Sequence, residues 1–316
     1  MSIDYVHNDP EFPELIGTVA FQHKLNAGLV EKDYWIMHTL YSLQKMGLEF
    51  ELKGGTSLSK GYGLINRFSE DIDLHVRSNF GYPVEGNAEK KRTQTARQAF
   101  YDYLKTVLYV PGATSIERDH AFDDLQKFRS GGIRIGYPVL NNVQGLKSGI
   151  LLEVGFDQIT PNIPKDITSW ISEYLSEKSL TENYIDNRAL HIPCYHPGYT
   201  LVEKLQTIVR KYNQYRLHKT KPSNFLRHYY DLYCLLNLTE IQSFLHSPEY
   251  QLHKQRRFKG TDRIIPLSEH PALSLSQPGE REEFQNQLNL TANLYYRGLP
   301  NLNTILDRIQ THQHKF

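Results

Sequence analysis

Residues 71–76 read Asp-Ile-Asp-Leu-His-Val, a strict alternation of polar and apolar side chains. A period of two is the signature of a strand with one buried face. Ile72, Leu74 and Val76 then enter a core, while Asp71 and Asp73 stand side by side on the opposite face. Two carboxylates this close repel each other, and one is driven to hold its proton unless a cation neutralises the pair. Mg²⁺ takes carboxylate oxygens together with waters and phosphate oxygens, so it suits an open pair better than a closed protein cage. For an isolated Asp-x-Asp, two exposed acids on an edge strand would be the plainer reading. The residues upstream reverse it.

Leu48 to Leu52 form an apolar run that reads as the preceding strand, ending at Lys53. Gly54 and Gly55 follow, where a backbone without Cβ atoms can take positive φ and approach a ligand closely. Thr56 or Ser57 is expected to cap a short helix from Ser57 to Leu64. Free N–H groups at such a helix start attract phosphate oxygens. The Walker spacing Gly-x-x-x-x-Gly-Lys-Ser/Thr is absent, and so is a dinucleotide fingerprint. A turn that holds phosphate, followed by a strand that holds metal, points to in-line displacement at phosphorus.

The rest of the chain supplies the frame. Residues 12–47 read as helices broken near Gly28, and a charged helix is expected from Ala88 to Tyr109. Two strands are expected over 128–138 and 149–156, joined by the turn Asn141-Asn142-Val143-Gln144-Gly145. Glu153 is the one acid in the apolar run from Ile150 to Phe156. A buried, unpaired glutamate is costly, so Glu153 either lies at a sheet edge or joins Asp71 and Asp73. Asp157 is the alternative third carboxylate. The stretch Thr160-Pro161-Asn162-Ile163-Pro164 reads as a domain boundary, and the chain beyond it as helical almost to the end. There, Thr200 and Glu203 form a capping box, with Leu201, Leu205, Ile208, Val209 and Tyr212 as an apolar stripe. A second helix carries Phe225, Tyr229, Leu232 and Leu236 on its core face. Arg227 and Asp231, four apart on its other side, read as a surface ion pair.

Composition narrows the setting. The chain has 316 residues, with 36 Lys and Arg against 35 Asp and Glu, so no global field draws it to nucleic acid. Any RNA contact is left to local clusters such as His253 to Gly260. Two cysteines, Cys194 and Cys234, imply no disulfide framework and suit a reducing compartment. With no apolar run of membrane length and no leader-like N-terminus, a cytoplasmic protein without a membrane role is expected.

Two stretches resemble a known family. Lys53-Gly-Gly-Thr56 with Arg67-Phe-Ser-Glu-Asp-Ile-Asp-Leu74 is similar to motif I of the abortive-infection toxin nucleotidyltransferases of AbiEii/AbiGii type, within the DNA polymerase beta-like superfamily. Leu29-Val-Glu-Lys-Asp-Tyr-Trp35 resembles the N-terminal helix of that family. Tyr199 to Leu205 and Arg227 to Tyr233 resemble its later motifs, with His228 departing from the expected Arg-Asp pairing. The resemblance implies an α+β nucleotidyltransferase fold, a small mixed sheet flanked by helices, over residues 1–160. A mainly helical domain over 161–316 would complete the active-site cleft.

It further implies that Gly54, Gly55 and Thr56 hold the nucleoside triphosphate and that Arg67 and Ser69 shape the loop before the metal strand. Asp71, Asp73 and Glu153 would bind Mg²⁺ or Mn²⁺, Glu153 would help activate the attacking hydroxyl, Lys204 would contact the triphosphate, and Asp231 would be an essential acid. The NTP is the implied substrate and the acceptor an RNA, tRNA above all, or a protein. The implied setting is a toxin–antitoxin or phage-defence system with a cognate antitoxin. A protein-modifying adenylyltransferase and a non-catalytic NTP- or RNA-binding regulator are the competing readings.

Overall fold

The computed structural model describes residues 3–156 and 159–316, which divide into two compact units. The first runs to Tyr62 and resumes over Ser69–Tyr195. The second is made of Gly63–Phe68 and His196–Phe316.

The first unit is a mixed seven-stranded sheet with helices. Its elements run α1 (Phe12–His23), α2 (Ala27–Lys45), β1 (Phe50–Lys53), a helical turn α3 (Gly54–Thr56), β2 (Asp71–Val76), α4 (Lys91–Val107), β3 (Ser115–Asp119), β4 (Ser130–Gly136), β5 (Ile150–Gly155), β6 (Asn162–Ile167), α5 (Trp170–Glu177) and β7 (Ala189–Tyr195). The strand order is β3-β4-β5-β2-β1-β7-β6. Thus β2 lies at the centre, antiparallel to β1 and parallel to β5. Ile72, Leu74 and Val76 are buried, as the alternation requires.

Several elements depart from expectation. The break expected near Gly28 falls at Lys24–Asn26, where the Asn26 side chain caps α2 by accepting from Gly28 N at 2.9 Å. Residues 162–195 carry two strands and a short helix instead of helices alone. Of the prolines that suggested a boundary, Pro161 precedes β6 and Pro164 lies on it, an edge strand where a missing N–H is tolerated. The division between units accordingly falls after Tyr195, while the sequence placed a boundary after residue 160. β3 was not anticipated at all.

The second unit is helical: α6 (Pro197–His218), α7 (Leu226–Leu235), α8 (Thr239–Phe244), α9 (Pro248–Arg257), α10 (Glu280–Asn289) and α11 (Leu302–Gln313). The stripe Leu201, Leu205, Ile208, Val209 and Tyr212 is buried on α6, as are Tyr229 and Leu232 on α7. α6 begins three residues before the expected cap. His196 is its N-cap, its ring accepting from Gly198 N, and the Thr200 hydroxyl donates to His196 O at 3.3 Å. The inserted segment Gly63–Phe68 is stitched into this unit by Phe68 N to Leu294 O, 2.7 Å, and Tyr296 N to Asn66 O, 3.2 Å.

Candidate active site

The carboxylates are set by strand register. Asp73 of β2 lies opposite Lys53 of β1 and opposite Glu153 of β5, so Lys53, Asp73 and Glu153 form one row across three strands and share a face. Asp71 is two residues back on that face, opposite Leu151. Asp157 lies outside the described residues.

The glycine turn is shaped around this row. Gly54 has φ +72°, and a Cβ there would lie 2.9 Å from Asp73 Cγ and nearer still to Oδ2. Only glycine lets the turn pass this close to the aspartate. Thr56 stands at the N-cap position of the helical segment Ser57–Gly61, but its side chain makes no capping bond. α3 starts at Gly54 itself with Lys53 as N-cap, and the Thr56 hydroxyl donates to the Asp71 carbonyl at 2.5 Å. That bond ties the turn to the start of β2. Ser69 is half-buried just ahead of the strand.

Asp71 already carries a cation. Lys147, in the loop between β4 and β5, places its ammonium 2.9 and 2.8 Å from the two Asp71 oxygens. The backbone of Lys147 is fixed from both sides. Its N–H donates to Glu70 Oε2 at 2.7 Å, and its carbonyl accepts from Lys32 Nζ at 2.5 Å. Lys32 also reaches Glu70 Oε2 at 3.0 Å. Burial pushes the Lys32 ammonium down from the usual lysine range, and Glu70 opposes that push.

Its neighbours on α2 are equally committed. Glu31 accepts from the N–H groups of Leu140 and Asn141 at 2.8 Å each, and Asp33 holds Lys60 at 2.8 Å and accepts from Trp170 N at 2.9 Å. Glu31-Lys32-Asp33 therefore brace the β4–β5 loop and the glycine turn from behind. Periodicity did not assign these roles, since three consecutive charges on a helix normally face water.

The donor set fits a hard divalent cation, since it consists of carboxylate oxygens beside a glycine cradle. Among the described residues no group of three or more His, Cys, Asp or Glu is placed to hold a metal ion, Asp71, Asp73 and Glu153 included.

The second unit holds a different constellation. Asp231 is fully buried, and Arg67 grips it with two bonds, Nε to Oδ1 at 2.7 Å and Nη2 to Oδ2 at 2.8 Å. Lys204 Nζ adds a third contact at 3.0 Å. Burial alone would raise the Asp231 carboxyl, but Arg67 and then Lys204 overcome it and hold the group below the usual range. Asp231, expected in a surface pair, is buried instead, and Arg67 is bound to it.

His228 lies beside these cations, nine-tenths buried, with neither ring nitrogen hydrogen-bonded among the described residues. Burial first, then Lys204, Arg227 and Lys211, drive its pKa well below the usual histidine value. Lys211 is itself pushed down to about 8 by burial and then by Arg227, Arg210 and Lys204. A region where burial and cation repulsion coincide is one that an anion relieves.

The profile described as "Nucleotidyl transferase AbiEii toxin, Type IV TA system" matches residues 35–308, most of the chain. The chain belongs to the AbiEii nucleotidyl transferase toxin family. Both the Asp71-x-Asp73 strand and the Lys204–Asp231 cluster fall inside the AbiEii match. Comparison with curated proteins finds no match. Among solved structures, an antigenic nucleotidyltransferase-like protein from Paracoccidioides brasiliensis aligns at 14% identity and TM-score 0.32, covering 74% of this chain and 97% of its own. A likeness that slight adds nothing to the AbiEii assignment.

Among the described residues no helix is long and apolar enough to cross a membrane. Cys194 and Cys234 are both unpaired by disulfide.

Proposed function

We propose that this chain transfers a nucleoside monophosphate from an NTP to an acceptor hydroxyl, releasing pyrophosphate, and that it does so as the toxin of a type IV toxin–antitoxin pair. The observation that carries the reading is the register that sets Asp73 beside Glu153, with Asp71 on the same face and Gly54 opened for the Asp73 carboxylate.

Asp71, Asp73 and Glu153 are the residues that would hold Mg²⁺ or Mn²⁺, which supplies charge neutralisation for the oxygens entering and leaving phosphorus. Glu153 sits in the row to accept the proton of the attacking hydroxyl. Gly54, Gly55 and Thr56 offer the N–H groups of a helix start to phosphate oxygens. Lys204 is the residue offered to the triphosphate, where charge accumulates as pyrophosphate departs. Its buried ammonium is kept in place by Asp231, which Arg67 holds in turn.

RNA, with tRNA foremost, is the proposed acceptor, and a cognate antitoxin the proposed partner. The family's type IV toxin–antitoxin description supports the partner. The test incubates the protein with Mn²⁺ or Mg²⁺, each α-labelled NTP in turn, total RNA and cell extract. Label in RNA with a single NTP supports the reading. Label in protein would move the acceptor to a polypeptide, and NTP binding without any transfer would reduce the chain to a regulator.

A further inference from the structure

We infer that Lys147 is a displaceable counter-ion of Asp71: its ammonium holds the carboxylate in the ligand-free protein and gives it up to a divalent cation that arrives with a nucleoside triphosphate. The inference rests on the reading of Asp71 and Asp73 as metal carboxylates.

The geometry is that of a substitute cation. One ammonium spans both Asp71 oxygens at 2.9 and 2.8 Å, so a metal ion that takes the position between them must move it. Anchoring and mobility are separated within the same residue. The Lys147 backbone is clamped by Glu70 and Lys32, and the start of its loop by Glu31. The ammonium itself ends a flexible four-carbon stem, and the side chain is 28% exposed. It can therefore leave Asp71 without the loop unfolding.

Charge decides when it leaves. A bare dication would free the ammonium beside itself with no new anion to meet, and like charges at short range repel strongly. A metal–triphosphate brings phosphate oxygens that the released ammonium can bind. Lys147 thus makes metal binding conditional on nucleotide, a coupling that is reciprocal by linkage.

The test measures Mn²⁺ binding by electron paramagnetic resonance on the full chain, wild type against Lys147→Met and Lys147→Arg. Each is run without nucleotide and with a non-hydrolysable NTP analogue, and thermal melting checks the fold. Losing a charged hydrogen bond of this kind is worth about tenfold in affinity. Lys147→Met is expected to bind Mn²⁺ alone about tenfold more tightly and to lose most of the enhancement that the analogue gives the wild type.

Lys147→Arg keeps a cation on both oxygens and is expected to bind Mn²⁺ alone no more tightly than the wild type. Equal or weaker Mn²⁺ binding by Lys147→Met overturns the role of Lys147 while leaving the carboxylates as metal ligands. No Mn²⁺ binding by any of the three proteins overturns it together with the metal reading.

Discussion

Arg67 and Asp231, 164 residues apart in sequence, form a two-pronged ion pair with both partners buried. The pair anchors the inserted segment Gly63–Phe68 to α7, and four residues after Arg67 the chain enters β2 at Asp71. Asp231 also holds Lys204, so one carboxylate is paired with two buried cations.

Removing that carboxylate strands both. Asp231→Asn is expected to lose about 3–5 kcal/mol of stability, because a buried pair broken on one side leaves an uncompensated charge. Arg67→Met with Asp231→Asn together should recover part of the loss. Urea denaturation of the three variants measures this. An Asp231→Asn protein within 0.5 kcal/mol of wild type would contradict the account.

Gly54 and Gly63 separate crowding from backbone strain. Both have positive φ, +72° and +64°, but a Cβ at Gly54 meets Asp73 while nothing lies within 4 Å of one at Gly63. Each alanine substitution should cost about 1–3 kcal/mol in strain. Gly54→Ala alone is expected to weaken Mn²⁺ binding, by displacing the Asp73 carboxylate. Titration of the two variants with Mn²⁺ decides it, and equal weakening in both would show that the cradle is not specific.

Glu31 should control the β4–β5 loop. With its carboxylate gone, the N–H groups of Leu140 and Asn141 lose their acceptor. Glu31→Ala is expected to speed tryptic cleavage after Lys147 several-fold, since cleavage follows the population of the open loop. An unchanged rate would mean that other contacts hold the loop.

Acid should destabilise the first unit through its buried histidines. Burial pushes His7 down to about 4 and His38 to about 3, with His7 adding to the effect on His38. His38 donates from Nε2 to Pro111 O at 3.0 Å, which leaves Nδ1 to accept from Asn187 Nδ2 at 2.9 Å, so a second proton would break that bond. The unfolded chain takes up protons near pH 6.5, well before the folded one. Stability is therefore full above about pH 6.5 and falls as pH drops from there towards 3. His38→Gln is expected to flatten the fall by up to about 2 kcal/mol at pH 5 in denaturant melts. A profile identical to wild type would remove His38 from the account.

The central strand was legible because its alternation is strict, and the α6 and α7 stripes because their apolar residues recur at helical spacing. β3 was not, since Ser-Ile-Glu-Arg-Asp carries the charges that edge strands use against aggregation and that loops use for solvation. Pro164 of β6 signals a linker to any local reading, and the edge position of β6 reconciles it with a strand. The site was half visible. Spacing along one chain segment reveals Asp71 and Asp73, but the partners of Asp71 and Asp231 come from 76 and 164 residues away. Nothing local marks Arg67 as a partner of Asp231 or Lys147 as a partner of Asp71.

The most direct test of the central claim is transfer of α-phosphate label from NTP to RNA by the wild type and by Asp71→Asn/Asp73→Asn, both shown by melting to be folded. The account predicts label in RNA for the wild type and a loss of at least about a hundredfold for the double variant, as expected when the groups that hold a catalytic metal are removed. Equal labelling by the two proteins would contradict it.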